Sequence, residues 1–250
     1  MKRLKVMAWD TATPYCTAAL LSFEDQGFEV LAEFQSESGV HSQVLPPQLE
    51  LMLKENRLKA ADLDLLVVGR GPGSFTGLRT GLALAKGLAM GAGLPLMGLP
   101  SPEPVAAALL LEGESGQADK ILAAPLIDAR HGEIFTALYQ ADPGGDFRLN
   151  CLMSPRPLAA AEIPARLLEA AAGRRIVLAG PALKLFLETC PSPLPDDLII
   201  GSTELLPAAS RLARLAVPIY LADEKAALEY PPLPLYLRQP DLRHSGIAMR

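Results

Sequence analysis

The amino-acid sequence predicts an α/β protein of two similar lobes, each a mixed sheet with flanking helices. One observation is the order of segments: three strand-like runs are followed by a helix, a strand, a glycine-rich turn and a second helix. The other is that this series restarts near its middle. Residues 10–20 and 128–138 have the same spacing, from an aspartate that ends one apolar strand to the Ala-Leu that ends the next. We therefore predict a duplicated lobe.

The elements of the first lobe follow from apolar spacing and turn residues. A helix is predicted from His41, with Pro46 and Pro47 in its first turn or at a kink, since neither has an N–H to donate. A second helix is predicted over residues 76–91, with Thr76 as its N-cap. Short apolar runs bounded by turn residues predict the strands, at residues 4–9, 15–23, 28–37 and 63–68.

The boundary between the lobes is predicted within residues 98–104, where prolines disfavour regular structure. The N-terminal lobe would then span residues 1–104 and the C-terminal lobe residues 105–250. Near the end of the chain, residues 207–216 predict a last helix and residues 230–240, rich in proline, an extended tail.

Composition limits the functional class. The net charge of −5 argues against a protein that binds nucleic acid through a broad, positively charged surface. The three cysteines are scattered and show no C-x-x-C spacing, which indicates a reducing compartment and neither a disulfide framework nor a zinc site. The long apolar stretch at residues 78–111 carries Arg79, Lys86, Glu103 and several prolines, so it does not predict a membrane span. We expect a cytoplasmic protein.

The most specific motif is GRGPGSFTGLR at residues 69–79. A strand, a glycine-dense turn and a helix start are typical of an anion site, because glycine lets backbone N–H groups approach a phosphate. The spacing matches no standard motif: a P-loop needs lysine where Leu78 stands, and a dinucleotide fingerprint needs glycine where Ser74 stands. With the aspartate turns after the first strand of each lobe, the candidate nucleotide or anion contacts are Asp10, Thr11, Arg70, Gly71, Gly73, Asp128 and Arg130.

A structural role for the two aspartates stays open beside this one. Asp10 and Asp128 are also suited to cap tight turns by accepting backbone N–H bonds. Nucleophilic catalysis is not predicted, because Ser74 has no glycine two residues after it and no histidine at a recognisable distance.

The helix that follows the glycine block is apolar nearly all round. At 100° per residue only Arg79 and Lys86 form a narrow polar ridge. Such a helix must be buried on more than one side, either by other parts of the chain or by another protein. We favour a helix-bundle interface, and glutamate at Leu82 or Ala85 is then expected to abolish pairing while the monomer stays folded. The predicted interface comprises Val44, Leu45, Leu49, Met52, Gly77, Leu78, Gly81, Leu82, Ala85, Lys86 and Ala89.

Five motifs in one order carry a family likeness: DTAT at 10–13, HSQ at 41–43, the glycine block at 69–79, IDAR at 127–130 and YLR at 236–238. In this combination the chain closely resembles the TsaB (YeaZ) family of bacterial proteins of tRNA threonylcarbamoyladenosine synthesis. The likeness spans nearly the whole chain. That family is related to the actin, sugar-kinase and chaperone-ATPase superfamily, which implies two duplicated lobes.

The resemblance implies a non-catalytic partner. It implies pairing with the catalytic paralogue TsaD, which transfers a threonylcarbamoyl group to the adenosine beside the anticodon of tRNAs that read codons starting with A. An ATPase, TsaE, would complete the assembly, and tRNA would be reached only through the complex. Without its partner the chain is expected to form a homodimer through the exposed apolar surface.

The resemblance also bears on cofactors. The catalytic paralogue places a His-x-x-x-His metal pair in the segment that corresponds to residues 99–106, which contain no histidine here, and His41, His131 and His244 lie far apart in sequence. No metal is therefore expected. Members of the superfamily have a glycine in the first hairpin turn, where the backbone approaches the phosphates, whereas this chain has Pro14. We therefore expect no cofactor, beyond weak binding of ATP or ADP or binding that a partner completes. An independent ATP-dependent small-molecule kinase and, with less support, a metallopeptidase remain alternative functions.

Overall fold

The fold comes from a computed structural model that describes residues 3–24, 27–36, 40–111, 121–142, 144, 148–223 and 225–238. His244 and the end of the predicted tail, residues 239–240, lie outside these ranges, as does residue 37 at the end of the predicted third strand.

The first sheet has five strands in the order β3-β2-β1-β4-β5. The first three strands are antiparallel neighbours, whereas β4 and β5 run parallel to β1. The continuous apolar runs of β1, β2 and β4 are buried, as expected of strands covered on both faces. The five strands are β1 (Leu4–Asp10), β2 (Thr17–Glu24), β3 (Gly27–Gln35), β4 (Leu65–Gly69) and β5 (Leu96–Leu99).

The second sheet repeats this topology, with the order β10-β9-β6-β7-β8. Its first three strands are again antiparallel neighbours and its last two again run parallel to the first. The predicted duplication of an actin-like lobe is therefore confirmed. The strands are β6 (Ile121–Arg130), β7 (Glu133–Ala141), β8 (Leu149–Ala159), β9 (Arg175–Ala179) and β10 (Leu198–Ile200).

Helices connect and cover the strands. Pro46 and Pro47 lie inside the first helix, one turn beyond the expected position, and the helix continues through them. Short 3-10 turns occur at Ala60–Asp62 and Ala160–Glu162. The helices are α1 (His41–Glu55), α2 (Phe75–Ala92), α3 (Glu103–Leu110), α4 (Ile163–Ala171), α5 (Leu183–Thr189), α6 (Ala209–Ala222) and α7 (Ala226–Glu229).

Two helices cross between the lobes. Helix α3 follows the first sheet in sequence but packs on the second, where Ala106 and Leu110 contact the β6–β7 core. Helix α6 follows the second sheet and packs on the first, through residues such as Leu212. The segment predicted to hold the boundary contains the end of β5 and the start of α3, and Pro104 lies in the first turn of that helix, where a missing N–H costs no helical hydrogen bond. The expected boundary at residue 104 falls inside this helix.

Candidate functional site

The glycine block joins β4 to α2 and brings the first hairpin against the helix. Ser74, not the expected Thr76, is the N-cap of α2, because its Oγ accepts a hydrogen bond from the Gly77 N–H at 3.2 Å. The Ser74 N–H in turn donates to the carbonyl of Ala12 in the turn after β1 at 2.7 Å. Gly71 has a φ of +92° and precedes a cis peptide bond to Pro72.

The chain's own backbone fills the space that these glycines leave. A Cβ on Gly73 would overlap the Ala12 carbonyl, and one on Gly77 would overlap the Thr11 carbonyl. A Cβ on Gly69 would overlap the carboxyl of Asp10. Glycine is required at these positions because the first hairpin turn packs directly on the block. An anion would have to displace that turn.

Both predicted aspartates cap turns, as one alternative proposed. Asp10 Oδ1 accepts from the Ala12 N–H and Asp128 Oδ1 from the Arg130 N–H, each at 2.7 Å. Asp10 is only 2% exposed, and burial raises its pKa to about 6, although the Ser101 hydroxyl and the Ala12 N–H favour its ionised form.

Three of the candidate anion contacts are enclosed by the protein. Asp10 and Gly71 are buried, and so is Thr11, whose hydroxyl donates to the Gly77 carbonyl at 2.8 Å. Their side chains and backbone are therefore not open to solvent in this structure, and their contact with a nucleotide stays a prediction. Arg70 is separate from these three residues, and its guanidinium lies near the Glu103 carboxylate.

The remaining candidates, Gly73, Asp128 and Arg130, meet at a cleft of about 320 Å³ between the lobes. One wall comes from the first hairpin turn and the start of α2, and the other from the β6–β7 hairpin. The C-terminal segment closes one side. The other lining residues are Ala12, Thr13, Pro14, Tyr15, Ser74, Phe75, Thr76, Ile127, Ala129, His131, Phe135, Pro181, Leu235, Tyr236, Leu237 and Arg238.

The β6–β7 hairpin turns sharply at the cleft. Arg130, His131 and Gly132 are all left-handed, with φ of +67°, +53° and +79°. Two non-glycine residues in this region cost conformational energy, so other contacts must hold the turn. Arg238 supplies them: its Nη1 donates to the carbonyls of Ala129 at 3.0 Å and Arg130 at 3.2 Å and lies 3.4 Å from Glu133 Oε2.

The rest of the C-terminal segment ties this hairpin to α2. The Leu235 N–H donates to the Arg70 carbonyl at 2.7 Å. The ring of Tyr236 lies 4.9 Å from that of Phe75, and its hydroxyl accepts from Arg79 Nε at 3.2 Å. From the sequence, this segment was only a tail with a family motif, because nothing in its local pattern indicates which distant residues it contacts.

The predicted partner interface lies mostly inside the lobe. Of its eleven residues only Val44 is half-buried and only Lys86 is exposed. Those on α2 pack on β1, β4 and α1, where Trp9 Nε1 also donates to the Gly81 carbonyl at 3.0 Å. The prediction therefore named the wrong face of both helices. The nine buried residues are Leu45, Leu49, Met52, Gly77, Leu78, Gly81, Leu82, Ala85 and Ala89.

The opposite side of α2 is open to solvent. Met90 is 84% exposed, and a Cβ added to Gly87 or to Gly91 would meet no atom within 4 Å. We call this side the outer face of α2, and the exposed Arg79 and Lys86 lie along one edge of it. It comprises Thr80, Ala83, Leu84, Gly87, Leu88, Met90 and Gly91, each half-buried or exposed.

Neither a metal-binding cluster nor a membrane-spanning helix occurs among the described residues. No group of three or more His, Cys, Asp or Glu side chains is placed to hold a metal ion. No helix in the described ranges has the length and apolar character to cross a membrane.

Comparisons with known proteins point to one family. The family model described as "TsaD: tRNA N6-adenosine threonylcarbamoyltransferase" matches residues 35–147. The chain is 37% identical over 142 residues to the Escherichia coli K12 tRNA threonylcarbamoyladenosine biosynthesis protein TsaB, covering 57% of this chain and 58% of that protein. The corresponding TsaB of Haemophilus influenzae is 37% identical over 54% of this chain and 53% of that protein. The match thus spans little more than half the length of these curated relatives.

Two relatives match over nearly the full length. An uncharacterized protein of Mycobacterium tuberculosis is 30% identical over 249 residues, covering 97% of this chain and 96% of that protein. Among solved structures, YeaZ from Pseudomonas aeruginosa superposes with a TM-score of 0.71 at 28% identity, covering 94% of this chain and all of that one.

Proposed function

The chain belongs to the TsaB/YeaZ family, and we propose that it acts in tRNA threonylcarbamoyladenosine synthesis as the non-catalytic partner of a TsaD-type enzyme. That enzyme would transfer the threonylcarbamoyl group to the adenosine beside the anticodon of tRNAs that read codons starting with A. The observation that carries the proposal is the outer face of α2.

The outer face has the composition of a helix-packing surface. An ordinary surface helix has polar and charged residues on its solvent side. Here Ala83 and Met90 are exposed, and Leu84 and Leu88 are half-buried. Exposed apolar surface of this kind marks interaction sites in proteins.

The two glycines of this face strengthen the argument. Gly87 and Gly91 lie inside a helix, where glycine costs about 0.5–1 kcal/mol relative to alanine. No residue in the described part of the chain requires them, since a Cβ at either position would meet open space. A second helix that packs closely against α2 supplies a reason, because glycine lets two helix backbones approach.

Helix α1 extends this surface. It packs beside α2 on the same face of the first sheet, and its Leu51 is 43% exposed. Two helices from each partner would form a four-helix bundle about a pseudo-twofold axis. The TsaD family model covers both helices of this chain, so the proposed partner would present a related pair. Without that partner, the same face would pair two copies of the chain.

The other parts of the proposal follow from charge and from the cleft. A net charge of −5 favours contact with tRNA through the complex rather than by this chain alone. A TsaE-type ATPase would complete the assembly. Any ATP or ADP would bind weakly or jointly with a partner in the cleft beside Gly73, Asp128 and Arg130, since the first hairpin turn fills the glycine block.

An independent ATP-dependent kinase is the second candidate. The cleft favours it, because the two-lobed fold places a cavity of about 320 Å³ between a glycine-containing turn and an aspartate hairpin. Turnover of ATP by the isolated chain with transfer to a small molecule would support this alternative over the partner role.

Reconstitution of threonylcarbamoylation tests the proposal, with a TsaD-type and a TsaE-type protein, the adenylate donor and tRNA. We expect product formation to need this chain and to be lost with Ala83→Glu, which places a charge on the outer face. Ala165→Glu is the matched control, since Ala165 is exposed on α4 in the other lobe. Undiminished product without the chain would refute the activator role, and full activity of Ala83→Glu would refute the interface.

A further inference from the structure

A second cavity, of about 220 Å³, lies on another side of the contact between the lobes. It shares no lining residue with the cleft described above. Its walls come from the start of α3, the start of β8, the last turns of α6 and the tail. The lining residues are Glu103, Arg148, Leu149, Leu215, Ile219, Ala222 and Tyr230.

Two opposite charges face this cavity without meeting each other. Glu103 and Arg148 both line it, but no ion pair joins them, and Glu103 makes no side-chain hydrogen bond to any described residue. Arg148 Nε is buried and has no hydrogen-bond partner among the described residues. Burial raises the pKa of Glu103 to about 7, although the guanidinium of Arg70 opposes this shift.

The polar groups behind the cavity wall are unsatisfied as well. Arg70 Nε and the Tyr139 hydroxyl are buried and lack a hydrogen-bond partner within the described part of the chain. Burial, and next the nearby Glu103 carboxylate, raise the pKa of the Tyr139 phenol well above its usual range. Arg70 and Tyr139 do not line the cavity, whereas Arg148 does. Because buried polar groups in folded proteins are almost always hydrogen-bonded, the unpartnered Nε of Arg148 indicates a polar occupant.

The lining limits the chemistry of that occupant. A molecule with one cationic and one anionic group would pair with Glu103 and Arg148 at once, which a simple ion would not do. Its remaining surface would lie against aliphatic side chains, Leu149, Leu215 and Ile219. Most small-molecule sites combine such an apolar wall with a few placed polar groups.

We propose that this cavity binds a small aliphatic α-amino acid, with its carboxylate on Arg148 and its ammonium group on Glu103. The site is independent of the outer face of α2 and of the cleft. Ordered water alone is the competing occupant, since it would also accept a hydrogen bond from Arg148 Nε.

Calorimetry and thermal unfolding of the full chain with L-leucine and L-valine test the proposal. Both should bind and raise the melting temperature, whereas isovalerate and isobutylamine, which each carry one of the two charges, should bind about tenfold more weakly or worse. Glu103→Gln should lower the affinity by a similar factor, while Glu55→Gln, which removes an exposed carboxylate on α1, should leave it unchanged.

A second variant and a pH series test the same site independently of Glu103→Gln. Ala222→Phe fills the cavity from an exposed position and keeps every polar group, so it should abolish binding without loss of fold. Binding should strengthen about tenfold from pH 6 to pH 8, because Glu103 ionises with a pKa of about 7, and Glu103→Gln should remove this dependence. The charged or titratable groups around Glu103 are Arg70, Tyr139, Arg148, Cys151 and Tyr230.

Three results would overturn the proposal. One is the absence of binding by either amino acid at 10 mM or below, which would leave water as the occupant. Another is equal binding of the one-charge analogues. The third is unchanged affinity in both Glu103→Gln and Ala222→Phe.

Discussion

Both halves of helix α2 contain a pair of glycines four residues apart, but the two pairs have different surroundings. Gly77 and Gly81 in the first half touch the turn after β1, and a Cβ on either would overlap Thr11. Gly87 and Gly91 in the second half have the same spacing, yet a Cβ on either would meet nothing within 4 Å. The first pair serves the packing of the chain on itself. No described residue packs against the second pair, which is the side that we propose for a partner.

The largest expected difference in stability is between substitutions at two neighbouring positions of α2, one on its buried side and one on its outer face. Leu82 is 4% exposed against the first sheet, so Leu82→Glu buries an unpaired carboxylate and should cost about 4 kcal/mol or more of unfolding free energy. Ala83→Glu, on the outer face, should change it by less than about 0.5 kcal/mol. Urea unfolding followed by circular dichroism measures both. Similar losses in the two variants would contradict the assignment of faces, and the sequence-based expectation that Leu82→Glu leaves the monomer folded is replaced by this one.

The next effect concerns the packed half of the helix. Gly77→Ala would press a Cβ against the Thr11 carbonyl and the His41 ring, and should cost about 1–3 kcal/mol of unfolding free energy. The fluorescence of Trp9, the single tryptophan of the chain, reports this unfolding because its ring is buried beside the same helix. A Gly77→Ala variant as stable as the unchanged chain would mean that the turn after β1 yields easily.

A smaller effect is expected at the C-terminal segment. Arg238→Ala removes two hydrogen bonds and an ion pair from the β6–β7 hairpin and should cost about 1 kcal/mol. Amide hydrogen exchange at residues 129–133 should become faster, because the left-handed turn loses its support. Arg156→Ala, at an exposed site on β8, is the control. Unchanged exchange would show that the hairpin holds its shape by itself.

The smallest change has the opposite sign. Gly87→Ala should stabilise the monomer by about 0.5–1 kcal/mol, because alanine favours the helix and its Cβ meets open space. The same methyl group should weaken pairing, which sedimentation of the isolated chain and of its mixture with a TsaD-type protein would measure. Stabilisation with unchanged pairing would leave the glycines of the outer face unexplained.

Much of the fold was predictable because strands and turns are indicated by residues close together in the sequence. The strand-turn-strand pattern after Asp10 and its repeat after Asp128 predicted two similar lobes, and each aspartate caps its turn as one alternative held. The edge strand β5 was missed because the prolines that follow it were interpreted as the boundary between the lobes. The exchange of α3 and α6 between the lobes has no local signal, because each helix packs on strands that lie far from it in the sequence.

The candidate sites show the same division. Gly73, Asp128 and Arg130 do line the cleft, but Asp10 and Thr11 do not, because the turn that contains them packs on α2. Nothing in the residues around Glu103 indicates the cavity beside it, which is assembled from four distant segments.

The sequence by itself determined that α2 is a helix with apolar residues on nearly every side and that glycines recur along it. Spacing and composition are sufficient for this, because helix formation depends on neighbours three and four residues apart. Only the tertiary structure decided which side faces the core. The sheet, α1 and the turn at Thr11 cover one side, and Gly87 and Gly91 are left on the other. Burial depends on residues far apart in the chain, so a helix that is apolar all round does not reveal which of its faces the fold will use.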